Sequence, residues 1–425
     1  MKKAGLWVMV CLAALAAAGC GKKDAGDGPV KITLWHQSVG ETDPSGPILK
    51  KLVAQWNQEH PEYQVEEDGV TGEQYKTKIK TALSADDAPD IMYMYGGSFM
   101  MPYLKAGKFL ELGSLVPKGT LDRILPGSLA QITQSGGKIY TLPCYTHIAS
   151  LYCNKELFDK AGAKLPENYT ELLEAARKLR AAGITPAVIS VKDRWPAMYW
   201  YDIIAMRQAG IPASLEAMKN PSLFTAADFT EAGRKLVELV DVEFFNSSMF
   251  SMSFDEMLGA FNNGQAAMLY QGNWVNSGIE NAPATQGKVT VIPFPVFEDG
   301  KGLASDIYGG DSSGGYYVNA QIKNPALAAE FMVFFNENMC RMGFLAGAGL
   351  PCWNLGNADT SSISGLDKEV AASMDTAKAF IPWWDNILPA DSSETHKDLI
   401  AQLMAKEITP REFGQRMAQV APSDL

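Results

Sequence analysis

The alternation of two hydrophobic periodicities near the start of the chain most constrains its fold. Val30, Ile32 and Leu34 alternate with polar residues, which is the period of a β-strand. Helical and strand periods then follow each other in turn as far as Gly97. Because consecutive strands that are separated by helices pair in parallel, with the helices on the faces of the sheet, the sequence predicts an α/β protein.

The carboxyl ends of these predicted strands are candidate binding positions, because ligands of open α/β sheets bind beyond those ends. Trp35 and His36 end the first strand, and Tyr95 ends the third. Asp90 opens the third strand after a proline, where a carboxylate either orders its own loop or faces a ligand. The sequence leaves both roles of Asp90 open.

The length of 425 residues predicts two domains, since a single hydrophobic core seldom extends over so long a chain. Residues 138–159, which read KIYTLPCYTHIASLYCNKELFD, predict a strand, a bend at Pro143, a second strand and a helix capped by Asn154. A mid-chain segment of this kind leaves one packed unit and enters another. We therefore expect a hinge here, with polar groups in the gap between the two units.

The N-terminal residues 1–19 have the pattern of a signal peptide. Two lysines precede the apolar stretch Leu6–Ala18, which is too short to span a bilayer, since that needs roughly 20 residues. The small residues before Cys20 resemble a bacterial lipoprotein signal, and the alternative is a plain secretory signal. The resemblance implies lipidation of Cys20 and a tether over residues 20–28 that holds the folded protein at a membrane surface.

The composition excludes some classes of function. The net charge is −11, and no basic stripe is available to neutralise the phosphates of a nucleic acid. No motif for a nucleotide phosphate, a zinc peptidase site or a calcium loop occurs, so neither a cofactor nor a metal is predicted. Beyond the signal and the lipidation candidate, the sequence leaves open the pairing of Cys144, Cys153, Cys340 and Cys352.

Two phrases of the sequence resemble one family. The first is G-x-I-Y-x-L-P at residues 137–143, followed by L-Y-x-N-K-x-L-F-x-x-A-G at 151–162. The second is F-x-x-G-x-A-A-M-x-x-x-G-x-W at 261–274. Together they resemble the extracellular solute-binding proteins of ABC importers, and within these the carbohydrate-binding group that includes the maltose-binding type. The resemblance runs in order from about Val30 to the C-terminus.

The resemblance implies a two-lobed α/β fold like that of the periplasmic binding proteins. Each lobe is expected to be a mostly parallel sheet flanked by helices, and three crossings are expected to join the lobes. The N-terminal lobe is expected to combine residues 29–143 and 312–350, and the C-terminal lobe residues 144–311 and 351–425.

The same resemblance implies a function without covalent chemistry, so the protein is not expected to be an enzyme. A carbohydrate, in particular an oligosaccharide, is expected to bind between the lobes of a monomeric receptor and to pass to the membrane permease of an ABC importer. The protein is expected outside the cytoplasm, in the cell envelope, with its lipid anchor as the only contact with the membrane.

The candidate ligand contacts are large aromatic side chains and polar side chains near the expected gap. A flat aromatic ring matches the C–H face of a sugar, while the sugar hydroxyls need polar partners. The aromatic candidates are Trp35, Tyr95, Tyr145, Trp200, Trp274, Trp353 and Trp384. The polar candidates are His36, Glu41, Asp90, His147 and Asp311. Each aromatic ring has core packing as its alternative role; the resemblance implies that Trp274 stacks on a sugar and that His147 lines the cleft.

Two other functions stay open. A binder of another solute, such as a peptide, a polyamine or glycerol phosphate, would show an ionic cleft. A glycan-acting enzyme of the envelope would need two carboxylates about 5 to 9.5 Å apart, for which Glu41 or Asp43 with Asp311 are the available residues.

Overall fold

The computed structural model of the chain describes residues 29–39, 43–309 and 312–423. Several predicted features lie outside these residues: the signal peptide 1–19, the tether 20–28 with its lipidation candidate Cys20, and the binding candidates Glu41 and Asp311. Within the described ranges, no helix is both long enough and apolar enough to span a membrane.

Strands and helices alternate along most of the described chain. The strands are β1 Val30–His36, β2 Tyr63–Gly69, β3 Ile91–Met94, β4 Thr133–Gln134, β5 Lys138–Ile139, β6 Thr141–Leu142, β7 Tyr145–Thr146, β8 Ala149–Asn154, β9 Thr185–Ala187, β10 Ala266–Gly272, β11 Val289–Ile292, β12 Asp306–Tyr308, β13 Gly315–Val318, β14 Leu350–Pro351 and β15 Ala379–Ile381. The helices are α1 Ser45–Glu59, α2 Gly72–Ser84, α3 Met101–Lys105, α4 Pro126–Ile132, α5 Lys155–Ala161, α6 Tyr169–Ala181, α7 Trp195–Ala209, α8 Ile211–Lys219, α9 Ala227–Asp241, α10 Phe254–Asn262, α11 Asn276–Asn281, α12 Pro325–Leu345, α13 Gly365–Asp375, α14 Trp384–Ile387, α15 Ala390–Met404 and α16 Pro410–Met417.

The first lobe is built on a five-stranded sheet with the strand order β2-β1-β3-β13-β6. Strand β1 pairs in parallel with both β2 and β3, as the alternating periodicities at the start of the sequence predict. Strand β13 runs antiparallel to its neighbours β3 and β6. The carboxyl ends of β1 and β3 therefore lie beside the start of β13, at the edge of the sheet that faces the second lobe.

The second lobe is built on a four-stranded sheet with the order β11-β8-β10-β9. Strand β8 is antiparallel to both β10 and β11, and only β10 and β9 pair in parallel among these strands. The two-lobed α/β fold is thus confirmed, but its sheets are mixed and not mostly parallel. The reason is that the chain enters β8 and β13 from a crossing between the lobes. Both strands therefore run away from the gap, whereas the strands beside them run toward it.

The crossings between the lobes lie side by side. Strand β7 belongs to the first crossing and pairs antiparallel with β14 of the third, so that Thr146 faces Leu350. Ile148 of the first crossing pairs with Gly309, where the second crossing begins. Because the first crossing contacts both others, a rotation of one lobe relative to the other bends all of them together.

Each lobe has its own hydrophobic core. The first-lobe core includes Leu34 of β1 and Trp56 of α1. The Trp56 ring lies 5.1 Å from that of Phe331 in α12. The second-lobe core packs α7, α9, α15 and α16 together on one side of the sheet. Within the described residues no disulfide joins the cysteines, all of which are buried. Because these cysteines are buried, they serve as packing residues; Cys153, for example, belongs to the second-lobe core.

Candidate functional site

Four half-buried aromatic residues stand at the edge of the first lobe, and we call them the first-lobe aromatic group: Trp35, Tyr93, Tyr95 and Phe99. The ring of Tyr95 lies 5.3 Å from Tyr93 and 5.2 Å from Phe99, both edge-on. Its hydroxyl donates a hydrogen bond to the Gln37 side chain. The group lies at and just after the carboxyl ends of β1 and β3, where the sheet topology predicts a ligand.

A second set of rings lies at the facing edge of the other lobe, and we call it the second-lobe aromatic group: Trp195, Tyr199, Trp274 and Trp383. The Trp274 ring lies 6.1 Å from Trp195, 6.3 Å from Tyr199 and 5.9 Å from Trp383. Tyr199 stacks flat on Trp383 with a centroid distance of 4.5 Å. Trp195 and Trp274 keep part of their surface exposed, so their rings are accessible from the gap.

Three separate segments assemble this second-lobe group. Trp195 and Tyr199 are one turn apart on α7, so they share one face of the helix. Trp274 follows β10, and Trp383 directly precedes α14. A side-chain carbon placed on Gly272 would overlap the Trp274 ring, so the glycine of the phrase G-x-W makes room for that ring.

The two aromatic groups are close to each other across the gap. Burial, the carboxylates of Asp385 and Asp202, and the hydroxyls of Tyr270 and Tyr93 all raise the pKa of Tyr199. Tyr93 belongs to the first lobe. The Ser98 hydroxyl, next to Phe99, also donates a hydrogen bond of 2.9 Å to the carbonyl of Asp385, two residues after Trp383, so the two groups lie side by side. A flat ligand between the groups would therefore meet rings from both lobes.

His147 lies on the first crossing, between the lobes. Its ring is 5.1 Å from that of Trp274 and 5.3 Å from that of Tyr145, edge-on to both. Burial lowers the pKa of His147 to about 4, and the nearby Asn273 side chain offsets only part of this shift. The imidazole is therefore neutral at physiological pH, when one ring nitrogen donates and the other accepts.

Several buried polar atoms beside His147 have no hydrogen-bond partner within the described residues. They are Thr146 Oγ1, His147 Nδ1, Gln271 Nε2 and Asn273 Nδ2. Buried polar atoms in folded proteins nearly always have a partner, so such a group points to a hydroxyl-bearing ligand or to ordered water. These atoms come from the first crossing and from the end of β10, next to the second-lobe aromatic group.

The neutral state of His147 predicts a pH effect on stability. Its pKa of about 4 lies below the value of about 6.5 in an unfolded chain, so between these pH values the unfolded chain binds more protons. The stabilising contribution is complete above about pH 6.5 and is lost as the pH falls toward 4. Between pH 7.5 and pH 5, the wild-type protein should lose about 1–2 kcal/mol more unfolding free energy than His147→Gln.

Urea titrations of both proteins at the two pH values measure this difference. All other ionisable side chains are common to wild type and variant, so their contributions cancel in the comparison. Equal losses in the two proteins would show that His147 is protonated in the folded state.

The structure places three predicted tryptophans in hydrophobic cores, which corrects the prediction that they contact a ligand. Trp200 is 1% exposed among the rings of Phe244, Phe245, Tyr270 and Phe294. Trp384 is fully buried and stacks on His396. Trp353 packs in the first-lobe core, where its indole N–H donates to the Pro143 carbonyl at 2.5 Å.

Two polar residues that were predicted to contact a ligand also stabilise the fold instead. His36 is fully buried and its Nε2 lies 2.8 Å from the Glu67 carboxylate on β2. Asp90 accepts hydrogen bonds of 2.9 Å from both the backbone N–H and the hydroxyl of Thr33, so it orders the start of β3. Asp43 accepts from the Ser45 N–H at 2.8 Å, next to the start of α1.

The other described residues that were predicted to contact a ligand lie near the gap, although each also contacts another side chain of the protein. The Tyr145 hydroxyl lies 2.5 Å from that of Ser45, which links the first crossing to the start of α1. The Lys78 ammonium stands 3.9 Å above the Trp35 ring and covers one of its faces. Trp274, Tyr95 and His147 occupy the positions described above, between the two lobes.

Sequence reasoning missed Trp195, Tyr199, Trp383 and Tyr93. The spacing of Trp195 and Tyr199 by one helical turn was the available signal for the first two, since it places both on one face of α7. For Trp383, the signal was the pair of adjacent tryptophans. Neighbouring side chains in an extended segment point in opposite directions, so the two rings of such a pair pack against different neighbours.

A buried polar network supports the second-lobe aromatic group from behind. His396 Nε2 lies 2.8 Å from Asp202 Oδ1, and the Tyr308 hydroxyl donates to the other oxygen of Asp202. Burial raises the pKa of Asp202 to about 6, although His396 and Tyr308 act in the opposite direction. The Tyr308 ring packs at right angles on Trp383 at 4.7 Å, so this network holds Trp383 in place.

Comparisons with known proteins agree on one family. Residues 40–339 match the family model of the bacterial extracellular solute-binding proteins. The chain is similar to a Streptococcus mutans protein named multiple sugar-binding protein, with 23% identity over 313 residues, which is 71% of each chain.

Solved structures share the whole fold. One comes from work on xylan utilization by the thermophilic bacterium Caldanaerobius polysaccharolyticus; it is 37% identical, with a TM-score of 0.88 over 92% of this chain and 99% of that one. Another is a chitin oligosaccharide binding protein, 24% identical, with a TM-score of 0.82 over 92% of this chain and 98% of that one.

Proposed function

This chain belongs to the bacterial extracellular solute-binding proteins, and from that premise we propose that it captures an oligosaccharide between its lobes. The observation that carries the proposal is the second-lobe aromatic group, whose partly exposed rings Trp195 and Trp274 face the gap. Such rings match the C–H faces of consecutive sugar units by dispersion. The polar atoms around His147 that lack partners in the described chain would meet the sugar hydroxyls.

The charges near the gap favour an uncharged ligand. The Lys76 ammonium lies 2.8 Å from Glu73, and that of Lys397 lies 2.7 Å from Glu394. Arg194, next to Trp195, pairs with Glu394 and Asp398 at 2.9 and 2.6 Å. Because each of these cations is already paired with a carboxylate, a phosphate or a peptide carboxylate would gain little from the cations, and a cationic polyamine would gain little from the carboxylates.

Relatives indicate which oligosaccharide to test first. The solved structure that shares 37% identity over 92% of this chain comes from work on xylan utilization. Relatives of lower identity carry the names multiple sugar-binding protein and chitin oligosaccharide binding protein. We therefore place oligosaccharides of xylan first, with chitin and α-glucan oligosaccharides as comparisons.

The proposed mechanism is capture by hinge closure. A sugar stacks on the second-lobe aromatic group while the lobes are apart, and a bend of the crossings then brings the first-lobe aromatic group onto its other face. The closed form delivers the sugar to the permease of an ABC importer. The chain contributes binding and orientation and leaves the glycosidic bonds intact.

A thermal-shift screen tests this proposal. The purified chain is heated with xylan, chitin and α-glucan oligosaccharides, and with amino acids, polyamines and glycerol phosphate as charged or small comparisons. A ligand present at 100 times its Kd should add about 2.7 kcal/mol to the stability of the folded protein. A rise with one oligosaccharide series supports the proposal, whereas a rise with a charged solute alone would contradict it.

The same mixtures separate a receptor from a glycan-acting enzyme. After prolonged incubation with the chain, the bound oligosaccharide is recovered and chromatographed beside the starting material. We expect the same chain length in both samples. Shorter products would assign an enzymatic activity to the chain.

How the protein is attached to the membrane is a separate proposal, which rests on the residues before Cys20. As a member of an extracellular family, the protein acts outside the cytoplasm. We propose that lipid on Cys20 holds it at the membrane surface. Partition of the expressed protein into a detergent phase, lost in Cys20→Ser, tests the anchor; equal partition of both forms would contradict it.

A further inference from the structure

The two lobes also touch at a tight backbone contact between segments that do not belong to the crossings. The 3₁₀ turn Gly97–Phe99 of the first lobe lies against α14 of the second. The Ser98 hydroxyl donates a hydrogen bond of 2.9 Å to the Asp385 carbonyl. A side-chain carbon on Gly97 would overlap the Asn386 carbonyl oxygen and come within 2.7 Å of its carbon. We call these four residues, Gly97, Ser98, Asp385 and Asn386, the closing contact.

The closing contact connects directly to the ligand-binding region on both sides. In the first lobe, the Gly97 N–H donates to the Ser313 hydroxyl at 3.2 Å, so the turn is held against the second crossing. In the second lobe, Asp385 and Asn386 follow Trp383 of the aromatic group within one turn of chain. A ligand that stacks on Trp274, whose ring lies 5.9 Å from that of Trp383, is therefore close to the backbone that the first lobe must reach.

Two helices that each carry acidic and basic side chains flank the closing contact. Helix α2 of the first lobe presents Glu73 and Lys76, and α15 of the second presents Glu394 and Lys397. Burial opposes ionisation of Glu394, but Lys397, Arg194 and, from the other lobe, Lys76 together lower its pKa. Across the gap, Lys76 attracts Glu394 and Glu73 attracts Lys397, so these opposite charges favour the approach of the two helices.

We propose that the closing contact holds the lobes together over the bound ligand, and that position 97 must be glycine because only glycine allows this approach. The inference rests on the proposed function, since it assigns a residue that determines how long the receptor retains its sugar. Gly97 is a positioning residue, because it touches the other lobe and not the ligand. Its effect should fall on ligand dissociation, which depends on reopening.

Gly97→Ala and Gly107→Ala form a matched pair for the test. Both glycines belong to the first lobe and have left-handed backbones, with φ of 59° and 69°. A side-chain carbon on Gly107 meets no atom of the described residues within 4 Å, whereas one on Gly97 meets Asn386. Both substitutions therefore strain the backbone alike, and only Gly97→Ala obstructs the approach of the lobes.

The first readout is stopped-flow dissociation of the oligosaccharide that the screen identifies. Gly97→Ala should release it about 10-fold faster or more than wild type, while Gly107→Ala stays within about twofold. Ser98→Ala, which removes only the hydrogen bond, should release it about threefold faster. Equal rates in Gly97→Ala and Gly107→Ala would overturn the inference.

The second readout does not require a sugar. In the ligand-free protein we expect open and closed forms to exchange, with the closing contact favouring the closed form. Small-angle scattering of the three proteins without ligand should therefore give a larger radius of gyration for Gly97→Ala than for wild type and Gly107→Ala. If no oligosaccharide binds wild type, the proposed function fails. The radii of gyration alone then show whether the closing contact holds the lobes together. If wild type binds but the variants scatter and release alike, only the closing contact is wrong.

Discussion

Replacement of Trp384 by alanine is expected to lower the free energy of unfolding of the second lobe by about 3–5 kcal/mol. The side chain is fully buried and stacks on His396, with ring centroids 5.5 Å apart. Its backbone N–H donates to the Tyr308 hydroxyl at 3.2 Å, so collapse of the cavity would also disturb the network around Asp202. Urea unfolding followed by circular dichroism measures the loss.

Trp195→Ala is the control for this prediction. Trp195 belongs to the same lobe but keeps part of its surface exposed, so its removal leaves a smaller cavity. We expect a loss of unfolding free energy less than half that of Trp384→Ala. If both variants were equally stable, the assignment of Trp384 to the core would be wrong.

Trp274→Ala should weaken oligosaccharide binding about 30-fold or more, which corresponds to about 2 kcal/mol or more of binding free energy. The ring lies at the centre of the second-lobe aromatic group, within 6.3 Å of Trp195, Tyr199 and Trp383. Its removal eliminates one stacking surface and leaves the edge of His147 without its neighbour. Calorimetric titration with the oligosaccharide from the thermal screen measures the change in Kd.

Two comparisons make the result specific. Trp274→Phe keeps an aromatic face above Gly272, so it should retain most of the affinity that alanine loses. Trp384→Ala, at a temperature where it stays folded, should bind with a Kd closer to that of wild type than Trp274→Ala does. Unchanged affinity in Trp274→Ala would remove this ring from the binding site.

These variants also distinguish the two kinds of tryptophan that the sequence does not separate. Trp383 and Trp384 are adjacent and both buried, yet the Trp383 ring stacks on Tyr199 beside the partly exposed Trp274, whereas the Trp384 ring stacks on His396. Only the direction of the backbone at the start of α14 decides which ring points inward. Composition and spacing carry no information about that direction.

The sequence by itself determined the features that depend on local pattern. The strand and helix periods around Leu34, the N-cap at Asn154 and the phrase ending at Trp274 each depend on residues close together in the chain. Asn154 accepts the hydrogen bond from Leu157 that its type predicts. From such patterns the two-lobed α/β fold and the family could be inferred before any coordinates.

Only the tertiary structure decided which polar and aromatic side chains face the gap. His36 ends β1 as predicted, but the pleat of the strand turns it toward Glu67 and away from the other lobe. Trp195, Tyr199 and Trp383 come together from distant segments, and Gly97 meets Asn386 across the gap. Such contacts depend on the packing of whole elements, which no local pattern specifies, so the binding surface followed from the fold and not from the sequence alone.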